Sequence, residues 1–176
     1  MIVRPETPSD YEAIGELLRS AFGGVDYRDV GAEESELVRS LRASDDYVPD
    51  LALVAEGDGE VVGHIVFSYI TLKGDEEFRV LALAPMAVTP GLQRRGIGGA
   101  LVEAGLERAD DRGEPLVIVV GHPSYYPRFG FESARGIGIE PPSEDFPDDA
   151  FMVRRLSRYS ERHRGRVVYP PAFGIT

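Results

Sequence analysis

Gln93-Arg94-Arg95-Gly96-Ile97-Gly98 decides the fold, because it joins a predicted strand to a predicted helix. An extended segment runs from Phe78 to Val88 before it, and a helix is predicted from about Gly96 to Arg112. The start of a helix presents unpaired N–H groups and a partial positive charge. Glycines at that point let the backbone approach an anion closely. The sequence therefore predicts a phosphate-binding loop at this junction.

Two better-known glycine loops for nucleotides do not fit this stretch. The phosphate loop of nucleoside triphosphatases requires a lysine, and the only lysine of the chain is Lys73. The dinucleotide fingerprint requires a third glycine at position 101, where this chain has Leu101. A purely structural alternative stays open, in which Gly96 and Gly98 only permit close packing of the helix on the sheet.

Hydrophobic patterning predicts the elements on the N-terminal side of the loop. A first helix should end at Phe22, closed by Gly23 and Gly24. The segments that should follow are a helix at about Glu33–Arg42, a loop at Asp45–Asp50, and a hairpin of Leu51–Ala55 and Val61–Tyr69 around the turn Glu56–Glu60. Pro85 interrupts the extended stretch before the loop, which predicts a bulge or an edge strand there.

The C-terminal side is predicted to hold further strands. A continuous apolar run at Leu116–Val120 indicates a strand covered on both faces. Beyond Pro123 the predicted segments are a short aromatic helix or turn, an extended stretch at Phe131–Ile139, an acidic loop at Glu140–Asp149, and a strand at Phe151–Leu156. Hairpins combined with one strand–helix–strand crossover predict a single α/β or α+β domain over residues 1–176. Its core should span about 1–135 and its C-terminal extension about 136–176.

Composition excludes several functions. The formal net charge of −11 argues against general nucleic-acid binding. No apolar run is long enough to span a membrane, and the N-terminus has no signal-peptide pattern, so we expect a cytoplasmic protein without a membrane partner. The absence of cysteine excludes disulfides, thiolate metal sites and a cysteine nucleophile. With three histidines and no paired ligand spacing, no metal is expected.

The stretch Gln93–Gly98 matches the signature Q/R-x-x-G-x-G/A of the GCN5-related N-acetyltransferase (GNAT) superfamily, which this chain resembles. Tyr125–Phe131 also resembles that family's aromatic-Tyr-x-x-x-Gly-Phe element. The long C-terminal tail is similar to that of one branch of predicted N-acetyltransferases. The resemblance implies a mixed, mostly antiparallel sheet flanked by helices, with strands four and five splayed apart.

The resemblance also implies the roles of individual residues toward acetyl-coenzyme A (acetyl-CoA), the expected cosubstrate. The backbone of Met86, Ala87 and Val88 should pair with the pantetheine. Tyr126 should act as the acid that protonates the departing thiolate. The expected pyrophosphate-binding residues are Gln93, Arg94, Arg95, Gly96, Ile97, Gly98 and Gly99. The expected acceptor is a primary amine, and the acidity of the chain favours a polyamine, an aminoglycoside or a protein amine. Homodimers are common among similar proteins.

The general base and two other functions stay open. Many relatives carry a carboxylate on strand four, but Phe78–Val88 has none. The candidates for the base are a water relay, Glu33, Glu34, His64 and His122. One alternative function is a non-catalytic sensor that binds acyl-CoA, and another is an interaction protein using the tail segment Val167–Phe173. The apolar side chains of that segment are expected to pack back onto the sheet.

Overall fold

The computed structural model describes residues 1–22 and 30–175, which form three α-helices and nine β-strands. The helices are α1 (Tyr11–Phe22), α2 (Val30–Arg42) and α3 (Ile97–Asp111). The strands are β1 (Ile2–Pro5), β2 (Tyr47–Gly57), β3 (Glu60–Lys73), β4 (Glu77–Val88), β5 (Leu116–Val120), β6 (Glu132–Ser133), β7 (Ile139–Glu140), β8 (Phe151–Arg155) and β9 (Gly165–Val168).

The strands form one mixed sheet in the order β1-β2-β3-β4-β5-β8-β6, with β9 beside β3 and β7 beside β9. Antiparallel pairing joins β1 to β2, β3 to β9, and β8 to both β5 and β6. Parallel pairing joins β4 to β5 and β7 to β9. This arrangement confirms the predicted fold class, a mostly antiparallel sheet with flanking helices.

The chain divides into two compact units, and the long strands β3 and β4 contribute to both. Unit 1 comprises Met1–Phe67 and Ala84–Arg108, and unit 2 comprises Ser68–Leu83 and Ala109–Thr176.

In unit 1, helices cover both faces of the sheet. Gly63 of β3 faces α3, because a Cβ at that position would lie 2.9 Å from side-chain atoms of Ile97 and Leu101. His64 points to the opposite face by strand alternation. There its Nε2 atom lies 3.2 Å from a carboxylate oxygen of Glu6, which also pairs with Arg42 of α2. Gly63 therefore allows α3 to pack closely on one face of the sheet, and α2 lies on the opposite face.

Unit 2 encloses its own apolar core between the strands, and the C-terminal tail is part of it. Buried residues from β3, β4, β5, β8 and β9 meet in one cluster, which includes Phe151 and Val167. Tyr169 and Phe173 pack against this cluster. The expectation that the tail packs back onto the sheet is therefore confirmed.

Most predicted elements are present, and several bounds need correction. The α2 helix begins at Val30 rather than Glu33, and β2 begins at Tyr47, inside the predicted loop Asp45–Asp50. The extended stretch predicted at Phe131–Ile139 is instead two short strands separated by a 3₁₀ turn at Arg135–Ile137. That turn ends at Gly138, whose φ of 83° a continuous strand could not contain.

Two further predictions concern Pro85 and the end of the first helix. Pro85 lies inside β4 after a cis peptide bond; β4 lies between β3 and β5 in the strand order, but its pairing with β5 covers Leu81 and Ala82 and ends before Pro85. The α1 helix ends at Phe22 as predicted, while Gly23 and Gly24 lie outside the described residues. None of the helices in the described ranges is long and apolar enough to cross a membrane.

Candidate functional site

The predicted anion loop lies between the end of β4 and the start of α3, within unit 1. The Thr89 N–H donates to the Val62 carbonyl oxygen at 2.9 Å, which ties the start of the loop to β3. The Leu92 N–H then donates to the Thr89 carbonyl oxygen at 3.0 Å, closing a turn. The Gln93 side-chain amide reaches back to the Val88 carbonyl oxygen at 3.4 Å. These three hydrogen bonds within the protein fix the start of the loop.

Two residues with left-handed backbone conformations lie where the loop joins α3. Arg94 has a φ of 65° and Gly96 a φ of 86°. A non-glycine residue in this region costs roughly 1 to 3 kcal/mol, and such strain persists only where the surroundings impose it. A Cβ at Gly96 would meet no other atom within 4 Å, so this glycine is required by its backbone angle and not by crowding.

The N-terminus of α3 is free of acidic residues. The Gly96 carbonyl oxygen accepts from the Ala100 N–H at 3.0 Å, so the N–H groups of Ile97, Gly98 and Gly99 have no partner within the helix. The first turns of α1 and α2 contain Glu12 and Glu33, but that of α3 contains no acid. In a chain with a net charge of −11, an acid-free helix start flanked by the exposed side chains of Arg94 and Arg95 suits a phosphate.

The predicted pantetheine-binding residues lie at the end of β4, where buried and partly exposed positions alternate. Ala87 is buried, whereas Met86 and Val88 are partly exposed. In unit 2, the recorded parallel register of β4 with β5 joins Leu81 to Val117 and Ala82 to Ile118. By contrast, β5 pairs with β8 at all five of its positions.

Tyr126 begins a 3₁₀ turn (Tyr126–Phe129) in unit 2 and is almost completely buried. Its ring makes edge contacts with Tyr125 and Phe131, at centroid distances of 5.1 and 5.5 Å. Burial, with a smaller contribution from Tyr125, raises the pKa of Tyr126 to about 12. Among the described residues, no hydrogen-bond partner is found for its hydroxyl. The phenol therefore stays protonated at neutral pH and can donate to a ligand.

Two glycines hold the Tyr126 segment in place, and the sequence interpretation missed Gly121. A Cβ at Gly121 would lie 2.3 Å from the Tyr126 ring, so the ring packs on bare backbone after β5. Gly130 closes the turn with a φ of 86°, and a Cβ there would lie 2.7 Å from Nε of Arg154. That Nε donates to the Phe129 carbonyl oxygen at 3.0 Å. Only the Gly130-Phe131 pair could be found from the sequence, through the family element.

The candidate bases differ sharply in their surroundings. His64 has no exposed surface and is hydrogen-bonded to Glu6, so it cannot contact an acceptor amine. His122 is exposed just after β5, and Glu33 is exposed at the start of α2. Glu34 is half-buried, and burial followed by the charge of Glu33 raises its pKa. Such a carboxyl group is a better proton acceptor than an ordinary surface glutamate.

Glu6 and Arg42, which no sequence motif marks, form a buried polar network with His64. Two nitrogens of the Arg42 guanidinium donate to one Glu6 oxygen at 3.0 and 2.7 Å, and His64 lies 3.2 Å from the other oxygen. Burial alone would raise the pKa of Glu6, but the bonds and charges of His64 and Arg42 outweigh it and lower that pKa. No group of three or more His, Asp or Glu in the described part of the chain could hold a metal ion.

Comparison with known proteins agrees with this geometry. Residues 2–134 match the family described as acetyltransferase (GNAT) domain. The uncharacterized N-acetyltransferase YjhQ of Escherichia coli K12 is 37% identical over 153 residues, covering 85% of this chain and 81% of that protein. The uncharacterized N-acetyltransferase YhbS of the same strain is 34% identical over 161 residues, covering 89% of this chain and 88% of YhbS.

Two solved structures resemble the whole chain. The crystal structure of E. coli YhbS in complex with CoA superposes with a TM-score of 0.86 at 32% identity, covering 99% of this chain and 92% of that one. A GNAT family acetyltransferase from Brucella melitensis in complex with acetyl-CoA gives a TM-score of 0.78 at 32% identity, covering 98% and 97%.

Proposed function

The chain belongs to the GNAT family of acetyltransferases and is an N-acetyltransferase, and on that premise we propose that it transfers an acetyl group from acetyl-CoA to a primary amine by direct attack. The observation that carries this proposal is the acid-free start of α3, preceded by left-handed Arg94 and Gly96. The relatives solved with CoA and acetyl-CoA support the choice of donor.

We propose that the donor is held by backbone groups more than by side chains. The N–H groups of Gly96 to Gly99 would receive the pyrophosphate oxygens, with Gln93, Arg94 and Arg95 adding donors and charge. Backbone groups of Met86, Ala87 and Val88 would pair with the amides of the pantetheine. Acetyl-CoA supplies an acetyl group already activated as a thioester.

The reaction needs a neutral amine and a proton for the leaving thiolate. The amine nitrogen forms a bond to the acetyl carbon, and the carbon–sulfur bond breaks with its electron pair going to sulfur. Tyr126 gives its phenolic proton to that sulfur, and the proton that the acylated nitrogen loses restores the phenol, so the products are the neutral amide and the thiol. We propose this role because the ring is fixed by packing while the hydroxyl has no partner in the described residues. Holding amine and thioester in register supplies much of the remaining rate.

We propose Glu34 as the leading candidate for the base that removes the proton from the acceptor ammonium, directly or through a water molecule. It is the half-buried member of the Glu33–Glu34 pair, and no ion-pair partner for it is found among the described residues. Replacing Glu34 with Gln should lower kcat and flatten the acidic limb of the pH–rate profile, whereas Glu33→Gln should keep kcat and move that limb to lower pH, because the Glu33 charge helps to raise the pKa of Glu34.

The proposed acceptor class follows from charge. A chain with a net charge of −11 attracts cations, which favours polyamines, aminoglycosides or amino groups of proteins. A cytoplasmic location and a homodimer remain expectations from the sequence and the family resemblance. Light scattering on a size-exclusion column would measure the number of chains in the particle.

The test is thiol release from acetyl-CoA with a panel of amines, together with mass measurement of the products. Acetylation of one amine class with saturation kinetics would support the enzyme. The competing function, a non-catalytic acyl-CoA sensor, predicts acetyl-CoA binding in calorimetry with no amine acetylated by any member of the panel. Absence of acetyl-CoA binding would contradict both functions.

A further inference from the structure

A groove of about 690 Å³ lies between α1 and α2 in unit 1, outside the residues assigned to the acetyl donor. Its volume is in the range of pockets that hold small molecules. Buried side chains of Ile14, Leu18 and Val38 lie beneath it. The ring of Tyr11 and the side chain of Ala43 flank one end.

The two helices are pinched together at the other end. A Cβ on Gly31 of α2 would lie 2.5 Å from the Arg19 Cα of α1, so the backbones touch at this point. Beside the pinch, Gly15 lacks a side chain, and Ser35 is the facing residue of α2. The groove therefore narrows from Tyr11 and Ala43 toward Gly15 and Ser35.

The Arg19 guanidinium lies at this narrow end. A Cβ on Gly15 would lie 3.3 Å from Nη1 of Arg19 and 3.6 Å from the Ser35 hydroxyl oxygen. Because Gly15 has no side chain, the guanidinium and the hydroxyl border the same space. Within the described residues, no acid pairs with Arg19. A guanidinium beside a hydroxyl is a donor set suited to a carboxylate.

The other charges of the groove are already committed or lie at its rim. Arg42 is held by Glu6 and lies over the Tyr11 ring at 3.7 Å. Arg39 pairs with exposed Glu36 at 3.4 Å. Among the described lining residues, Glu12 is the only acid against three arginines. With Arg42 held by Glu6 and Arg39 paired with Glu36, Arg19 is the arginine of the described lining that is left to receive an anion.

We propose that this groove is a binding site for a small carboxylate with a short aromatic or apolar body. The carboxylate is received by the Arg19 guanidinium and the Ser35 hydroxyl at the narrow end. The body lies toward the Tyr11 ring and Ala43, where the groove widens. This site requires neither acetyl-CoA nor turnover, so it stands or falls independently of the proposed acetyl transfer.

The test uses calorimetric titration with 3-phenylpropionate, with 3-phenylpropionamide as the uncharged analogue. Saturable binding of the acid, at least tenfold tighter than the amide, is expected. Arg19→Gln should weaken the acid at least tenfold, while Arg39→Gln, at the rim of the same groove, should change its Kd less than twofold. Gly15→Ala should weaken binding less than Arg19→Gln, because its methyl group would lie 3.3 Å from Nη1 of Arg19 and crowd the guanidinium and the bound carboxylate; this second variant serves if Arg19→Gln fails to fold.

Three results of the binding measurements would overturn the proposal. The first is no saturable binding of 3-phenylpropionate to the wild-type chain. The second is equal weakening by Arg19→Gln and Arg39→Gln, which would show that any positive charge near the groove favours the acid and that Arg19 does not bind it specifically. The third is equal competition by inorganic phosphate, which would identify a plain anion site. Methyl NMR shifts confined to Ile14, Leu18 and Val38 would support the location, whereas shifts confined to other methyl groups would contradict it.

Discussion

The ring of Tyr126 lies directly on the backbone of Gly121, and a Cβ at position 121 would come within 2.3 Å of the Tyr126 Cε2 atom. Cβ atoms essentially never approach another heavy atom so closely. Because Gly121 immediately follows β5, the end of that strand determines where the phenol lies.

Replacing Gly121 with Ala should therefore displace the Tyr126 ring. We expect a stability loss of about 1 to 3 kcal/mol, as for an overpacked site, and a fall in turnover of about tenfold or more. Denaturant unfolding and steady-state kinetics measure the two effects. Gly136→Ala is the matched control, because its Cβ would meet nothing nearer than 3.8 Å. Equal effects in both variants would refute the role of this contact.

Replacing Gly96 with Ala should lower both the free energy of unfolding and the affinity for acetyl-CoA. Alanine at a φ of 86° costs about 1 to 2 kcal/mol. Relief of that strain should turn an N–H group of the loop away from the phosphate, and the loss of one hydrogen bond should weaken acetyl-CoA binding about tenfold. Gly59→Ala is the control, since Gly59 has a similar φ of 79° in the β2–β3 turn. We expect similar stability losses in both variants but weaker acetyl-CoA binding, measured by calorimetry, only in Gly96→Ala.

The sequence predicted what depends on local pattern. The Asp58-Gly59 turn, with both residues left-handed, is the connection that two-residue hairpins favour, and the hairpin was found there. The loop Gln93–Gly98 and the segment Tyr125–Phe131 also carry local signatures. The short strands after Phe131 could not be predicted as such, because two-residue pairings depend on β8 and β9, far along the chain.

Contacts between distant residues account for the parts of the site that were missed. Gly121 is an ordinary glycine in the sequence, and only the folded position of the Tyr126 ring makes it necessary. Glu6, Arg42 and His64 are 36 and 58 positions apart in the pairs they form. No periodicity links such residues, so a buried charge network of this kind is visible only in the structure.

Glu6→Gln should be strongly destabilising, because it leaves the Arg42 charge without its buried partner. We expect a loss of about 3 to 5 kcal/mol in the free energy of unfolding near neutral pH. Since the folded-state pKa of Glu6 is lowered, its contribution is present above the unfolded value of about 4.3 and lost as pH falls below it. The difference between wild type and variant should therefore shrink in acid. Glu36→Gln, which breaks only the exposed pair with Arg39, should change stability by less than about 1 kcal/mol.

Glu34→Gln should have the opposite effect on stability. The folded-state pKa of Glu34 is raised, so the stability of the wild type is fully present below about pH 4.3 and declines as pH rises through the folded value. Glutamine does not ionise, so the variant should be more stable than wild type at pH 7 and nearly equal to it at pH 4. Urea unfolding at the two pH values measures this difference. A variant less stable than wild type at pH 7 would show that ionised Glu34 is stabilised by an interaction that glutamine cannot replace.

Tyr126→Phe tests the proposed chemistry most directly, because it removes one hydroxyl and keeps the buried ring. The measurement is kcat for the best amine, with the acetyl-CoA Kd determined by calorimetry on the same preparation. We predict that kcat falls about 10²-fold or more while the Kd changes less than twofold. Unchanged turnover would contradict the assignment of Tyr126 as the acid for the leaving thiolate.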